Sequence, residues 1–148
     1  MLLSLSQINR LPGAVSINRW SIADESIHVK GLAALFREFV AENPSVVNNH
    51  FKGEIYETAR RVVEMEDAFI DLCYRSGVNR AMTSEEACAY TRYVCDYRMQ
   101  QIGLKAQFGI SKNPIPWIDT VVSPSFVNFF EATTVEYSKN SMTGTWEY

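Results

Sequence analysis

The sequence predicts an all-α protein of about three long helices followed by an extended C-terminal tail. Three observations carry that prediction. Seven Gly and five Pro are few for 148 residues, and most of them fall between long uninterrupted stretches rather than at the frequent turns of a sheet protein. Within those stretches, apolar residues recur at helical spacing. Finally, Thr83-Ser84-Glu85-Glu86 is a T-x-x-E sequence, whose side chains and backbone cap one another at the start of a helix.

Residues Leu2 to Leu11 form a short apolar helical piece, for which Pro12-Gly13 is the expected stop. From Ala14 to Glu42 there is no proline and one glycine, Gly31, which predicts the longest helix, about 28 residues and about 42 Å. After Asn43-Pro44 a second helix is expected from about Ser45 to Tyr74, with Phe51, Ile55, Ala59, Val62, Phe69 and Cys73 at helical spacing and Arg75-Ser76-Gly77 as its exit. The third runs from the capping box to Gly103. Beyond Leu104 the periodicity fades, and Asn113-Pro114-Ile115-Pro116-Trp117 cannot continue a helix, because proline removes backbone donors and forces its predecessor into an extended conformation. Glu131 to Tyr148 is rich in Thr, Ser and Asn and lacks an aliphatic stripe, so we read residues 1–130 as the helical unit and 131–148 as a flexible tail.

Composition narrows the function classes. At 47% hydrophobic and 21% charged, the chain has the make-up of one soluble domain, and a net charge of -3 gives no positive field for nucleic acid. No apolar run is long enough for a membrane span. Three cysteines without a C-x-x-C pair suit a reducing compartment, so the expected location is the cytoplasm. G-x-S-x-G, P-loop and G-x-G-x-x-G sequences are absent, which leaves nucleophilic and phosphoryl-transfer chemistry without support.

The chemistry sits on the long helix. At about 100° per residue, Ala14, Ile17, Ile22, Leu32, Leu35, Phe36 and Phe39 fall on one side and Arg19, Lys30 and Arg37 on the other. Glu25 and His28, three apart, project from the middle of the apolar side, where burial is expected. An unpaired buried carboxylate is costly, so one reading pairs Glu25 with an arginine of a neighbouring helix beside a satisfied core histidine. The other reading is half of a carboxylate-bridged di-metal site, since ferritin-like bundles use Glu-x-x-His twice and add a carboxylate from each of two further helices. Only two histidines exist, and no glutamate lies three before His50, so a second such pair is missing and further ligands must come from another polypeptide or a second copy. Glu66, also on an apolar stripe, is expected in an inter-helix ion pair, and His50 at the surface.

Beyond these patterns, Ser21-Ile22-Ala23-Asp24-Glu25-Ser26-Ile27-His28 resembles the last ligand helix of the class I ribonucleotide reductase small subunit. Arg98-Met99-Gln100-Gln101-Ile102-Gly103-Leu104 with Asn113-Pro114-Ile115-Pro116-Trp117 is similar to that family's late helix and its exit, and Asn128-Phe129-Phe130-Glu131 leading to Glu136-Tyr137 to its C-terminal tail. The resemblance implies the C-terminal portion of a ferritin-like bundle. It implies Glu25 and His28 as metal ligands, Asp24 as a hydrogen-bonded relay residue, and Tyr137 assisted by Glu131 as the radical-transfer pair of the tail. Trp146-Glu147-Tyr148 would then anchor the large subunit.

The implied cofactor is a di-metal centre of iron, with manganese as the alternative, shared with another polypeptide. The implied partners are the N-terminal half of the small subunit, the large subunit, and a second copy of the assembled small subunit. The family's first Glu-x-x-His, its early carboxylate ligand, its radical-bearing residue and a further glutamate have no counterpart here. Either the subunit is encoded in two pieces, which is the arrangement expected, or the chain is a C-terminal fragment; the complete subunit would serve the reduction of ribonucleotides to deoxyribonucleotides. A homo-oligomeric di-iron oxidase and a non-catalytic helical module binding the large subunit remain as alternatives.

Overall fold

A computed structural model describes residues 2–77 and 79–122. The expectations for Glu131, Tyr137, Trp146-Glu147-Tyr148 and the tail lie outside the described residues. A 3-10 helix, Leu2–Ile8, is followed by α1 (Pro12–Glu42), α2 (Asn49–Arg75), α3 (Ser84–Gln101) and a short α4 (Trp117–Val122), with no strand among the described residues. The three long helices match the expected number, and the all-α class holds.

Their boundaries reflect local chemistry. Pro12 starts α1 rather than stopping the preceding piece, because at the first helical position its missing N–H has no partner to lose and its fixed φ already suits a helix. The chain turns into it through two left-handed residues, Asn9 at φ 48° and Leu11 at φ 47°. The short N-terminal piece accordingly ends at Ile8, before the proline. The second helix starts four residues later than expected, since Asn48 is its cap and accepts from the Phe51 N–H at 3.0 Å. At α3 the capping box forms in full: the Glu86 N–H donates to Thr83 Oγ1, and the Thr83 N–H donates to the Glu86 carboxylate. The same helix closes on Gly103, at φ 82°, with Leu104 N–H to Met99 O at 2.9 Å and Gly103 N–H to Gln100 O at 3.0 Å. That pair of bonds satisfies carbonyls the helix end leaves open and needs the left-handed glycine.

α2 and α3 pack along one another, whereas α1 lies against the 3-10 helix and α4 touches both of the latter. Leu3, Ile70, Met82, Ala87, Ile115 and Ile118 form the buried cluster that joins the two groups, with Ile22, Tyr74 and Trp117 packed against it. Tyr74 Oη donates to Met82 O, which ties the end of α2 to the turn before α3. Phe36 stacks on Phe51 across α1 and α2 at 6.4 Å, and Arg37 Nη1 donates to Gln101 O.

Two features bear on the site. The Asp96 carboxylate, 1% exposed, accepts backbone N–H bonds from Gln107 (2.6 Å), Phe108 (2.9 Å) and Ile110 (2.9 Å) and so straps the irregular stretch after α3 onto that helix. Conversely, Ile17, Leu32, Leu35 and Phe39 on α1 and Val62, Met65, Phe69 and Leu72 on α2 are exposed. Each large apolar side chain left in water forgoes about 1.5–3 kcal/mol of burial. No described helix is long and apolar enough to cross a membrane.

Candidate metal centre

α1 presents Asp24, Glu25 and His28 within a little more than one turn. Residues three and four apart on a helix are surface neighbours, so both carboxylates reach toward the imidazole, Glu25 from i-3 and Asp24 from i-4. One ligand atom from each of the three lies within 4.8 Å of the others. His28 Nδ1 stands 3.7 Å from Glu25 Oε2. On another face of the same turn Ser26 donates its hydroxyl back to Ile22 O at 2.6 Å. Among the described residues this is the one group of three potential ligand side chains that comes together.

The expected burial of Glu25 and His28 is overturned: their side chains are 68% and 58% exposed. A helical wheel assigns side chains to a face but does not say that the same chain covers it. α1 packs on its own neighbours through Val15, Ile22 and Ala33. The face holding His28, Leu32, Leu35 and Phe39 lies about a third of the way round the helix at about 100° per residue. Neither the arginine partner nor the core-histidine environment considered for the pair is found, and the cluster opens outward among uncovered apolar side chains.

The other expected positions fall elsewhere. His50 is exposed at the start of α2, 3.7 Å from Glu54. Glu66 is exposed, and the inter-helix ion pair expected there forms at the next residue instead. Asp67 binds Arg92 of α3 through two contacts, 3.0 Å and 2.5 Å, while Arg92 also reaches Cys88 O and lies over the Phe108 ring. The hydrogen bonds that Arg92 donates to the Asp67 carboxylate hold its guanidinium more firmly protonated. Burial pushes the Cys88 thiol up, with Asp67 adding to it, and burial does the same to Cys95. All three cysteines are free and half-buried.

Sequence reasoning missed two roles. The i, i+4 spacing of Asp24 to His28, legible in the sequence, brings a second carboxylate to the turn beside the relay role that the resemblance implies. Asp96 carried no signal, because its partners lie 11 to 14 residues further on in an irregular stretch.

Carboxylates and an imidazole gathered on one helical turn are the donor types that helix-bundle metalloproteins project from facing helices. The particular family is given by comparison. A sequence model of the ribonucleotide reductase small chain matches residues 1–114. The chain belongs to that family. A probable ribonucleoside-diphosphate reductase small subunit of Invertebrate iridescent virus 3 is 35% identical over 150 residues, covering 100% of this chain and 40% of the relative. The ribonucleoside-diphosphate reductase subunit beta of Chlamydia pneumoniae is 30% identical, over 93% of this chain and 39% of its own length. A ribonucleoside-diphosphate reductase 1 subunit beta of Salmonella typhimurium is 30% identical over 74% of this chain and 30% of its length. The chain thus spans 40% or less of each of these relatives.

Proposed function

We propose that this chain is the C-terminal half of a ribonucleotide reductase small subunit working in the cytoplasm, supplying part of a carboxylate-bridged di-metal site and the radical-transfer tail. The observation that carries the reading is the Asp24, Glu25 and His28 cluster set on an apolar face of α1 that nothing among the described residues covers. The donor chemistry fits half of such a centre. Carboxylate and imidazole suit iron or manganese, and two side chains of one turn leave room for ligands from facing helices.

In this reading Glu25 and His28 hold the metal nearer to α1. Asp24 keeps a hydrogen bond between the site and the subunit surface. The apolar side chains around them exclude water once a second polypeptide, the N-terminal half, docks. When bound, the di-metal centre supplies the one-electron oxidising power from which reduction of ribonucleotides starts. Glu131 and Tyr137 in the tail then relay the radical to the large subunit, and two assembled small subunits pair. Residues 1–130 serve as the helical unit and 131–148 as the docking tail.

The test is metal stoichiometry, measured on the purified chain alone and on the chain mixed with a polypeptide carrying the missing ligand helices. We expect a full two-metal centre, and nucleotide reduction with the large subunit, only in the mixture. A stable two-metal centre in the chain alone would overturn the split-subunit reading in favour of a homo-oligomeric oxidase. Tyr137→Phe removes one hydroxyl, so metal loading should survive in the mixture while turnover is lost. Normal turnover would remove Tyr137 from the relay.

A further inference from the structure

We propose that α2 is the surface through which two copies of this chain pair, lying antiparallel along Ile55, Thr58, Val62, Met65, Phe69 and Leu72. The inference rests on the reading that two assembled small subunits pair, and gives that pairing a surface. It does not involve the metal centre.

Those six residues step by three and four along α2, the heptad spacing with which two helices pack knobs into holes. The helix is apolar on two sides. Val63 and Ile70 are buried within the chain. The seam itself stands in water, with Val62 51%, Met65 70%, Phe69 56% and Leu72 56% exposed. Thr58 is exposed as well, and Ile55 is half-buried. No ionisable side chain interrupts this seam, whereas the uncovered stripe of α1 carries Asp24 and His28 in its middle. A seam of that kind calls for apolar cover and not for ligands.

It is also self-complementary. A two-fold axis between Val63 and Glu64 sets Ile55 against Leu72 of the second copy, Thr58 against Phe69 and Val62 against Met65, each contact made twice as an isologous interface requires. A shallow, mainly apolar depression bounded by Glu54, Ile55, Thr58 and Ala59 already lies where that register seats Leu72 of the second copy. Charge agrees with the same register. Glu54 and Arg75, both exposed, project on one flank of the seam, and antiparallel pairing brings Glu54 of each copy opposite Arg75 of the other. Arg61 meets Ala68 on that flank and Glu66 meets Ala59 on the other, so no like charges face each other. A parallel pair lacks this match, because it leaves Glu54 and Arg75 at opposite ends, about 32 Å apart.

The experiment measures the mass of the isolated full chain by sedimentation equilibrium over a range of concentrations, and circular dichroism checks that each variant keeps its helices. Wild type should form a closed dimer. Met65→Lys, at a position exposed in the single chain, should leave it monomeric. Glu54→Arg and Arg75→Glu should each weaken pairing about 10-fold, since two rim pairs are replaced by like charges. An equimolar mixture of those two variants should restore wild-type affinity, because each copy then supplies the charge that the other lacks. Such a rescue has no counterpart within one chain, where the two side chains are too far apart to meet.

Mixing with the N-terminal half separates the inference from the reading beneath it. Wild type should assemble with two chains of each kind and Met65→Lys with one of each, at equal metal content per chain. A monomeric wild-type chain, open-ended aggregation or a failed charge exchange overturns α2 as the pairing surface. Loss of the N-terminal half from Met65→Lys overturns it too, because the seam would then belong to that half. A wild-type mixture that stops at one chain of each kind, while the isolated chain pairs through α2, leaves the surface standing and defeats the pairing of assembled subunits.

Discussion

Asp96 on α3 and the Asp24 to His28 turn on α1 place the same acidic chemistry in opposite surroundings. The Asp96 carboxylate is buried, with both oxygens occupied by backbone N–H groups of its own chain. Asp24 and Glu25 stand in water beside an imidazole, on a face whose apolar side chains are also uncovered. The difference teaches that a carboxylate's role here depends on where its partners come from. Those of Asp96 are supplied locally and make it a structural strap; those proposed for Glu25 and His28 arrive from another polypeptide.

The largest effect on the folded chain itself is expected from Asp96→Ala. It leaves three part-buried N–H groups without their acceptor, and since a fully buried one costs about 1–3 kcal/mol, urea unfolding should show a loss of about 3 kcal/mol. Asp24→Ala should stay within about 0.5 kcal/mol in the same assay. Similar losses at the two positions would break the comparison.

Acid sharpens it. Burial alone would raise the Asp96 carboxyl, but N–H groups of Phe108, Ile110, Gln107 and Gly109 outweigh that and hold it below the usual carboxylate range. A folded value below the unfolded one, near 3.9, means the stabilisation is complete above the unfolded value and disappears as pH falls through the folded one. Wild type should therefore lose stability below about pH 4 more steeply than Asp96→Asn, which has no proton to take up there. Parallel acid limbs would show that the strap is not held by charge.

A smaller effect is expected at the Asp67 and Arg92 pair, which is half-buried and two-pronged. A double-mutant cycle with Asp67→Asn and Arg92→Met should return a coupling of about 1 kcal/mol, more than a fully exposed pair gives and less than a buried one. The smallest effect belongs to the uncovered face. Leu35→Lys should change the isolated chain's stability by no more than about 0.5 kcal/mol, because Leu35 is already in water. The same substitution should prevent association with the N-terminal half, read by size-exclusion chromatography of the mixture.

Much of the fold was legible because it rests on local signals. The capping box at Thr83, Gly103 after α3 and the Pro44 break between α1 and α2 each act within a few residues. Pro12 misled because proline is a breaker inside a helix and a starter at its first position, and only the side on which the helix lies separates the two cases. α4 was missed since six residues after Pro116 are too few to show a period. At the candidate site, the pairing of Glu25 with His28 was legible from spacing alone. Its exposure was not, since a stripe of apolar residues looks the same whether its cover is in this chain or another.

In the proposed assembly the α1 turn becomes part of a two-metal centre only when a second polypeptide completes it, through His28 and not His50. Metal content of the mixed assembly, measured for His28→Ala and His50→Ala beside wild type, tests it most directly. His28→Ala is expected to lose the metal beside α1 and His50→Ala to keep both. Equal metal content in the two variants would contradict it, because the exposed turn of α1 would then have no part in the centre.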